Sequence, residues 1–201
     1  MQKFKASSPN AETIGQLLLS FFHNLQYKDI EPVLTKYKLD HLEPAEWYPQ
    51  QLGLDIFKEI AEGGINVSDN LVAIGMKAAE YASFPPETDS IEKVLQSLGY
   101  RGNRNTPPGE GVIPQVFGEG HALVTNNTPY PDDNMFGYLW GLLKRFVPPG
   151  VGFIVSPMDS QKRSADEALI FELRWGVGMI PTETRSDEKH FIAAEKPGST
   201  H

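Results

Sequence analysis

Asn126-Asn127-Thr128-Pro129-Tyr130-Pro131-Asp132-Asp133-Asn134, with the apolar segment 135–146 that it opens, is the stretch whose reading decides the fold. Its asparagines and aspartates bond nearby backbone, and its prolines fix φ, so it ends one extended run and starts one helix. Asp133 is the expected N-cap. Phe136, Leu139, Trp140 and Leu143 recur at helical spacing and form the expected core stripe. Gly137 and Gly141 stand four apart in this helix, and each costs it roughly 1 kcal/mol against alanine. The expected compensation is a close approach of the helix to a sheet, which a side chain would prevent.

Working outward, Pro148-Pro149-Gly150 ends the helix, and 151–155 and 168–177 read as two strands joined through a polar loop, 159–166. On the other side, 112–117 and 121–125 are extended runs around Gly118-Glu119-Gly120, a spacing that suits a hairpin. Pro114 has no N–H to give a ladder, so it belongs at an edge or a bulge. The segment 110–178 therefore reads strand, strand, helix, strand, strand.

The segment 1–100 reads as helical. Ser8-Pro9 predicts a helix start, with Ile14, Leu17, Leu18, Phe21, Phe22 and Leu25 on its buried side to about Tyr27. Asp29 predicts a shorter helix carrying Ile30, Val33, Leu34 and Tyr37. Trp47-Tyr48-Pro49 reads as a turn into a helix with Leu52, Ile56, Phe57 and Ile60, ended by Gly63-Gly64. Ser68 caps the next, whose Gly75, Ala78, Ala79 and Ala82 permit close helix contact. Asp89 and Glu92 have capping-box spacing before Ile91, Val94, Leu95 and Leu98. The Gly, Asn and Pro of 101–110 mark a boundary between the halves. The expected architecture is one α+β domain over 1–181, a helical half packed on a small antiparallel sheet, with 182–201 a mostly flexible tail.

Composition narrows the function. The chain has 201 residues, 40% of them hydrophobic and 22% charged, ordinary values for a globular protein. Its net charge of -8 argues against nucleic acid, whose phosphates require clustered Lys and Arg. No cysteine is present, which excludes disulfides, thiolate metal sites and cysteine nucleophiles. No apolar run spans a membrane and no signal core follows the first lysines, so the expected compartment is the cytoplasm. Among His23, His41, His121, His190 and His201 no pair has helical metal-site spacing. Asp132-Asp133 fits a helix N-terminus better than a metal pair. Glu119 and His121 are a thin acid/base pair in a solvated turn, and no phosphate-binding or nucleophile-elbow motif is present.

The order helices, hairpin, helix, hairpin resembles the fold shared by 4-vinyl-reductase-type small-molecule-binding domains, heme-nitric-oxide-binding domains and TRAPP trafficking subunits. Glu46-Trp47-Tyr48-Pro49 before an amphipathic helix, and Asn127-Thr128-Pro129-Tyr130-Pro131 leading into Phe136-Gly137-Tyr138-Leu139-Trp140-Gly141, are similar to motifs in bacterial members. Two departures accompany the resemblance. The zinc-holding cysteines of the phenol-sensing relatives are absent here. The heme-binding relatives place a proximal histidine well before Tyr-x-Ser-x-Arg, whereas here Tyr100-Arg101-Gly102-Asn103-Arg104 has Gly102 in place of Ser and no histidine lies between His41 and His121. No metal and no cofactor is expected. The resemblance implies a ligand held between helices and sheet, with Trp47, Tyr48, Tyr130, Trp140 and Trp175 as candidate lining; plain core packing is their other reading. The expected function is a non-catalytic sensory domain holding a small apolar ligand, and a homodimer. The alternatives are an interaction module that dimerises through its helical half without a ligand, and an enzyme of unknown class.

Overall fold

The computed structural model describes residues 2–22, 35–37, 39, 41–62, 67–98, 102–118, 120–158 and 167–176. Its elements are β1 (Glu12–Ile14), α1 (Gly15–Phe22), β2 (Trp47–Pro49), α2 (Gln50–Glu62), α3 (Val67–Tyr81) and α4 (Ile91–Gln96). They are followed by β3 (Asn103–Arg104), β4 (Gly111–Gly118), β5 (His121–Asn127), α5 (Asp132–Phe146), β6 (Gly152–Met158) and β7 (Leu169–Gly176). The class is α+β, as expected. The expected helix over 29–37 before residue 35, the stop at Gly63-Gly64, the loop 159–166 and the tail 182–201 lie outside the described residues.

The second half has the expected strand order in sequence. Its sheet is antiparallel in the order β4-β5-β7-β6. Pro114 sits on the edge strand β4, opposite Val124. Ala122 and Val124 of β5 and Leu169, Phe171, Leu173 and Trp175 of β7 alternate with more exposed neighbours, so one face of the sheet is dry. Leu139, Leu142 and Leu143 of α5 bury fully against that face. The stripe is thus rotated from the expected one: Met135 and Leu142 are buried, while Phe136 and Trp140 are half-buried at its margin.

The glycines explain that rotation. A Cβ at Gly137 would run into the Val72 carbonyl oxygen of α3, and one at Gly75 into the Asn134 carbonyl oxygen of α5. At Gly141 it would stand 2.7 Å from the Ala79 methyl. The close approach is therefore to helix α3 and not to the sheet, which corrects the expectation. The small residues of α3 and α5 face each other, and this backbone contact leaves the leucines of α5 for the sheet.

Other corrections share one cause, a second sheet. β1 pairs antiparallel with β2 and β3 in the order β2-β1-β3, with Thr13 opposite Tyr48 and Asn103. Ser8-Pro9 does not start a helix; the chain is extended at 12–14 and turns helical at Gly15, where a Cβ would strike the Glu43 carbonyl. Trp47-Tyr48-Pro49 is a strand, not a turn, because the extended backbone imposed before proline is used for pairing. Within the segment 101–110, Asn103–Arg104 is stitched to β1 of the first half.

Two expected caps also move. Ser90, not Asp89, caps α4, accepting from the Lys93 N–H at 3.4 Å, while Asp89 pairs with Lys93 Nζ at 2.8 Å. Pro131 occupies the N-cap of α5 in place of Asp133. Asp132 in the first turn accepts from Asn126 Nδ2 at 2.8 Å and pairs with Lys3 at 2.9 Å. Two buried clusters result, one between α5, α4 and the large sheet, the other around Leu18, Leu54, Phe57, Ile74 and Tyr130.

Candidate ligand cavity

A cavity of about 570 Å3 lies where the two clusters meet. Ile14 and Trp47 of the small sheet and Gln16, Leu17 and Ser20 of α1 form one wall. Ala78 and Tyr81 of α3 and Asn134, Met135 and Tyr138 of α5 form another. Gly102, Asn103, Thr128 and Tyr130 close the polar end. Among the described residues, no Asp, Glu, Lys, Arg or His lines it.

The walls are fixed by bonds that spend most of their polar groups. Thr128 Oγ1 donates to Asn126 Oδ1 at 2.6 Å and accepts from the Tyr130 N–H at 3.3 Å. Ser20 Oγ donates to the Leu17 carbonyl at 2.6 Å, and Asn134 Nδ2 to the Leu71 carbonyl at 3.3 Å. Tyr130 Oη donates to Asn103 Oδ1 at 2.7 Å, and burial pushes its phenol up to about 12. Behind Asn103, the buried Gln50 gives its Nε2 to Glu110 Oε1 at 3.0 Å and to Asn103 Oδ1 at 3.4 Å. Ser7 donates to the other oxygen of Glu110.

Trp47 is held from outside. The Arg104 guanidinium stacks 4.3 Å from its ring centroid, and Arg104 Nε donates to Glu12 Oε2 at 2.6 Å. That bond holds the Glu12 carboxyl below its ordinary range.

Of the five aromatics proposed from sequence, Trp47 and Tyr130 line the cavity. Tyr48 packs in the smaller cluster and its Oη accepts from the Glu43 N–H at 2.9 Å. Trp140 packs edge-on against Phe153 at 5.5 Å, with its Nε1 buried and unpartnered among the described residues. Trp175 is buried in the large sheet, where its backbone N–H donates to the Gly120 carbonyl at 2.8 Å. Sequence reasoning missed Asn103, Asn134 and Gln16, since a cavity-lining amide has no spacing rule. Asn134 did lie within the opening stretch, one position past the aspartates.

His121 lies away from the cavity, stacked on Phe117 and 3.1 Å from Glu172, whose carboxyl is held low chiefly by Arg174. His41 is exposed. No three or more potential metal-ligating side chains converge among the described residues. No helix among them is long and apolar enough to cross a membrane.

No protein-family model matches the chain, and no curated protein matches it in sequence. Solved structures do match in fold. One comes from work on the mechanism of H-NOX activation, with 15% identity and a TM-score of 0.57 over 80% of this chain and 93% of the other. A second is an oxygen-binding H-NOX domain related to soluble guanylate cyclases, with 13% identity and a TM-score of 0.53 over 86% and 97%. A third concerns heme redox potential modulated through porphyrin distortion, with 15% identity and a TM-score of 0.53 over 81% and 96%. The shared fold is that of the heme-nitric-oxide-binding domains among the three families of the resemblance.

The described cavity walls do not fit heme. Its iron needs an axial donor, most often imidazole or thiolate, and no histidine or cysteine is among the described lining residues. Its propionates need cations, and no Lys or Arg is among the described lining residues; Arg104 is committed to Glu12 and Trp47.

Proposed function

We propose that this chain is a sensory, non-catalytic domain that binds a small apolar molecule in the cavity between α1, α3, α5 and the small sheet. The observation that carries this reading is the cavity itself. Its size is that of ordinary small-molecule sites, and its wall combines apolar side chains with a few oriented amides and hydroxyls. The fold shared with H-NOX structures supports the sensory part of the reading. Walls drawn from separate elements give a ligand leverage, because occupancy stabilises whichever arrangement of α1 and α3 closes on it.

Native mass spectrometry of protein purified from its own host tests the reading. The expected spectrum carries a small-molecule adduct of a few hundred daltons that organic solvent removes. An adduct-free spectrum, with no rise in melting temperature across a panel of apolar compounds, would defeat it.

The second reading, dimerisation through the helical half, needs a wide apolar arc on the first helix to face outward. Leu18 of that arc is buried within the chain and Leu17 lines the cavity. The side chains of Phe21, Phe22 and Leu25 lie outside the described residues. What is described of the arc favours a ligand.

A further inference from the structure

The bonds behind the cavity's polar end fix which way Asn103 presents its amide. Gln50 turns its NH2 toward Glu110, whose Oε1 accepts from Nε2 at 3.0 Å. The same NH2 reaches Asn103 Oδ1, and Tyr130 Oη donates to that oxygen too. Reversing Gln50 would set its oxygen against the carboxylate. The cost of the observed orientation is visible in Gln50 Oε1, which is buried without a partner among the described residues. Reversing Asn103 would set its NH2 against that of Gln50. With Oδ1 doubly occupied, Asn103 Nδ2 is left as a donor, and no hydrogen bond spends it among the described residues. The hydroxyls of Thr128, Ser20 and Tyr130 have already given their protons inward.

From this relay of Glu110, Gln50 and Asn103, and from the uncharged wall, we infer that the cavity selects an uncharged apolar molecule bearing a hydrogen-bond acceptor, such as a carbonyl oxygen, which docks on Asn103 Nδ2. The inference rests on the reading of the cavity as a ligand site. A carboxylate or an ammonium in the cavity would lose its hydration with no ionic partner among the described lining residues. A pure hydrocarbon would leave the Asn103 donor unsatisfied.

Three probes of nearly one shape separate the terms in calorimetric titrations of the purified chain: 2-acetonaphthone, 2-ethylnaphthalene and 2-naphthoate. The expected order is ketone over hydrocarbon by roughly tenfold, with the carboxylate weakest. Asn103→Asp keeps an acceptor for Gln50 and Tyr130 but removes the donor, and Asn103→Leu removes both. In each variant the ketone's advantage over the hydrocarbon should disappear; circular dichroism verifies folding, and either variant suffices. A carboxylate that binds tightest, a ketone within about twofold of the hydrocarbon, or an advantage that survives Asn103→Asp overturns the inference but leaves the cavity a ligand site. If none of the three binds, the functional reading falls and the inference with it.

Discussion

Tyr130 shows how one side chain joins distant parts of the chain. Its ring stands edge-on to Phe57 of α2 at 5.9 Å, and its hydroxyl reaches Asn103 of β3. Its phenol keeps its proton up to about 12 in the folded chain, against an ordinary value of 10.0. Between these values the unfolded chain holds fewer protons than the folded one, so stability falls as pH rises. The contribution is complete below pH 10 and is lost through about 12, roughly 2–3 kcal/mol in all. Urea unfolding at a series of pH values from 8 to about 12 should show this loss in the parent chain. Tyr130→Phe should be about 1–2 kcal/mol less stable at neutral pH, through the lost bond to Asn103, and its alkaline slope should be shallower. An unchanged slope would mean that the hydroxyl is reached by water in the folded chain.

At the scale of elements, α3 and α5 are held at backbone distance by Gly75, Gly137 and Gly141. Alanine at Gly75 or Gly137 meets a carbonyl oxygen of the facing helix, which cannot rotate away. The expected loss is about 3 kcal/mol, larger than the roughly 1 kcal/mol that alanine adds to helix propensity. At Gly141 the nearest atom is a methyl at 2.7 Å, and the expected loss is smaller, about 1 kcal/mol. Gly176 has no heavy atom within 4 Å of its Cβ position, so Gly176→Ala is the neutral control. Denaturation midpoints of the four variants rank them. If Gly137→Ala proves as mild as the control, the two helices are not in backbone contact.

For the whole molecule, the sharpest expectation concerns heme. The chain shares its fold with heme-related structures, but the described cavity wall offers neither imidazole nor propionate cations. Protein produced with heme supplied in excess should show no Soret band in stoichiometric amount after desalting. A stoichiometric band would mean that a less common donor of the wall, Met135 or Tyr138, or a residue outside those described, holds the iron. Much of the fold was legible in the chain. Extended runs over 112–117, 121–125 and 168–177, punctuated by glycine and proline, marked the strands. The turn chemistry of 126–134 placed α5, and the absence of cysteine by itself removes whole classes of chemistry. Tertiary structure alone decided the rest. Strands as short as β1, β2 and β3 carry too few residues for a period, and their partners lie far apart in sequence, so the small sheet is invisible to local patterning. The glycines announced a close approach, but the choice of α3 over the sheet depended on two helices meeting. Trp47 and Tyr130 could be named from residue type; that they share a cavity with Asn103, while Tyr48, Trp140 and Trp175 pack elsewhere, follows from how the two sheets and α1, α3 and α5 assemble around it. A period reports which face of an element is dry, and only assembly determines what that face meets.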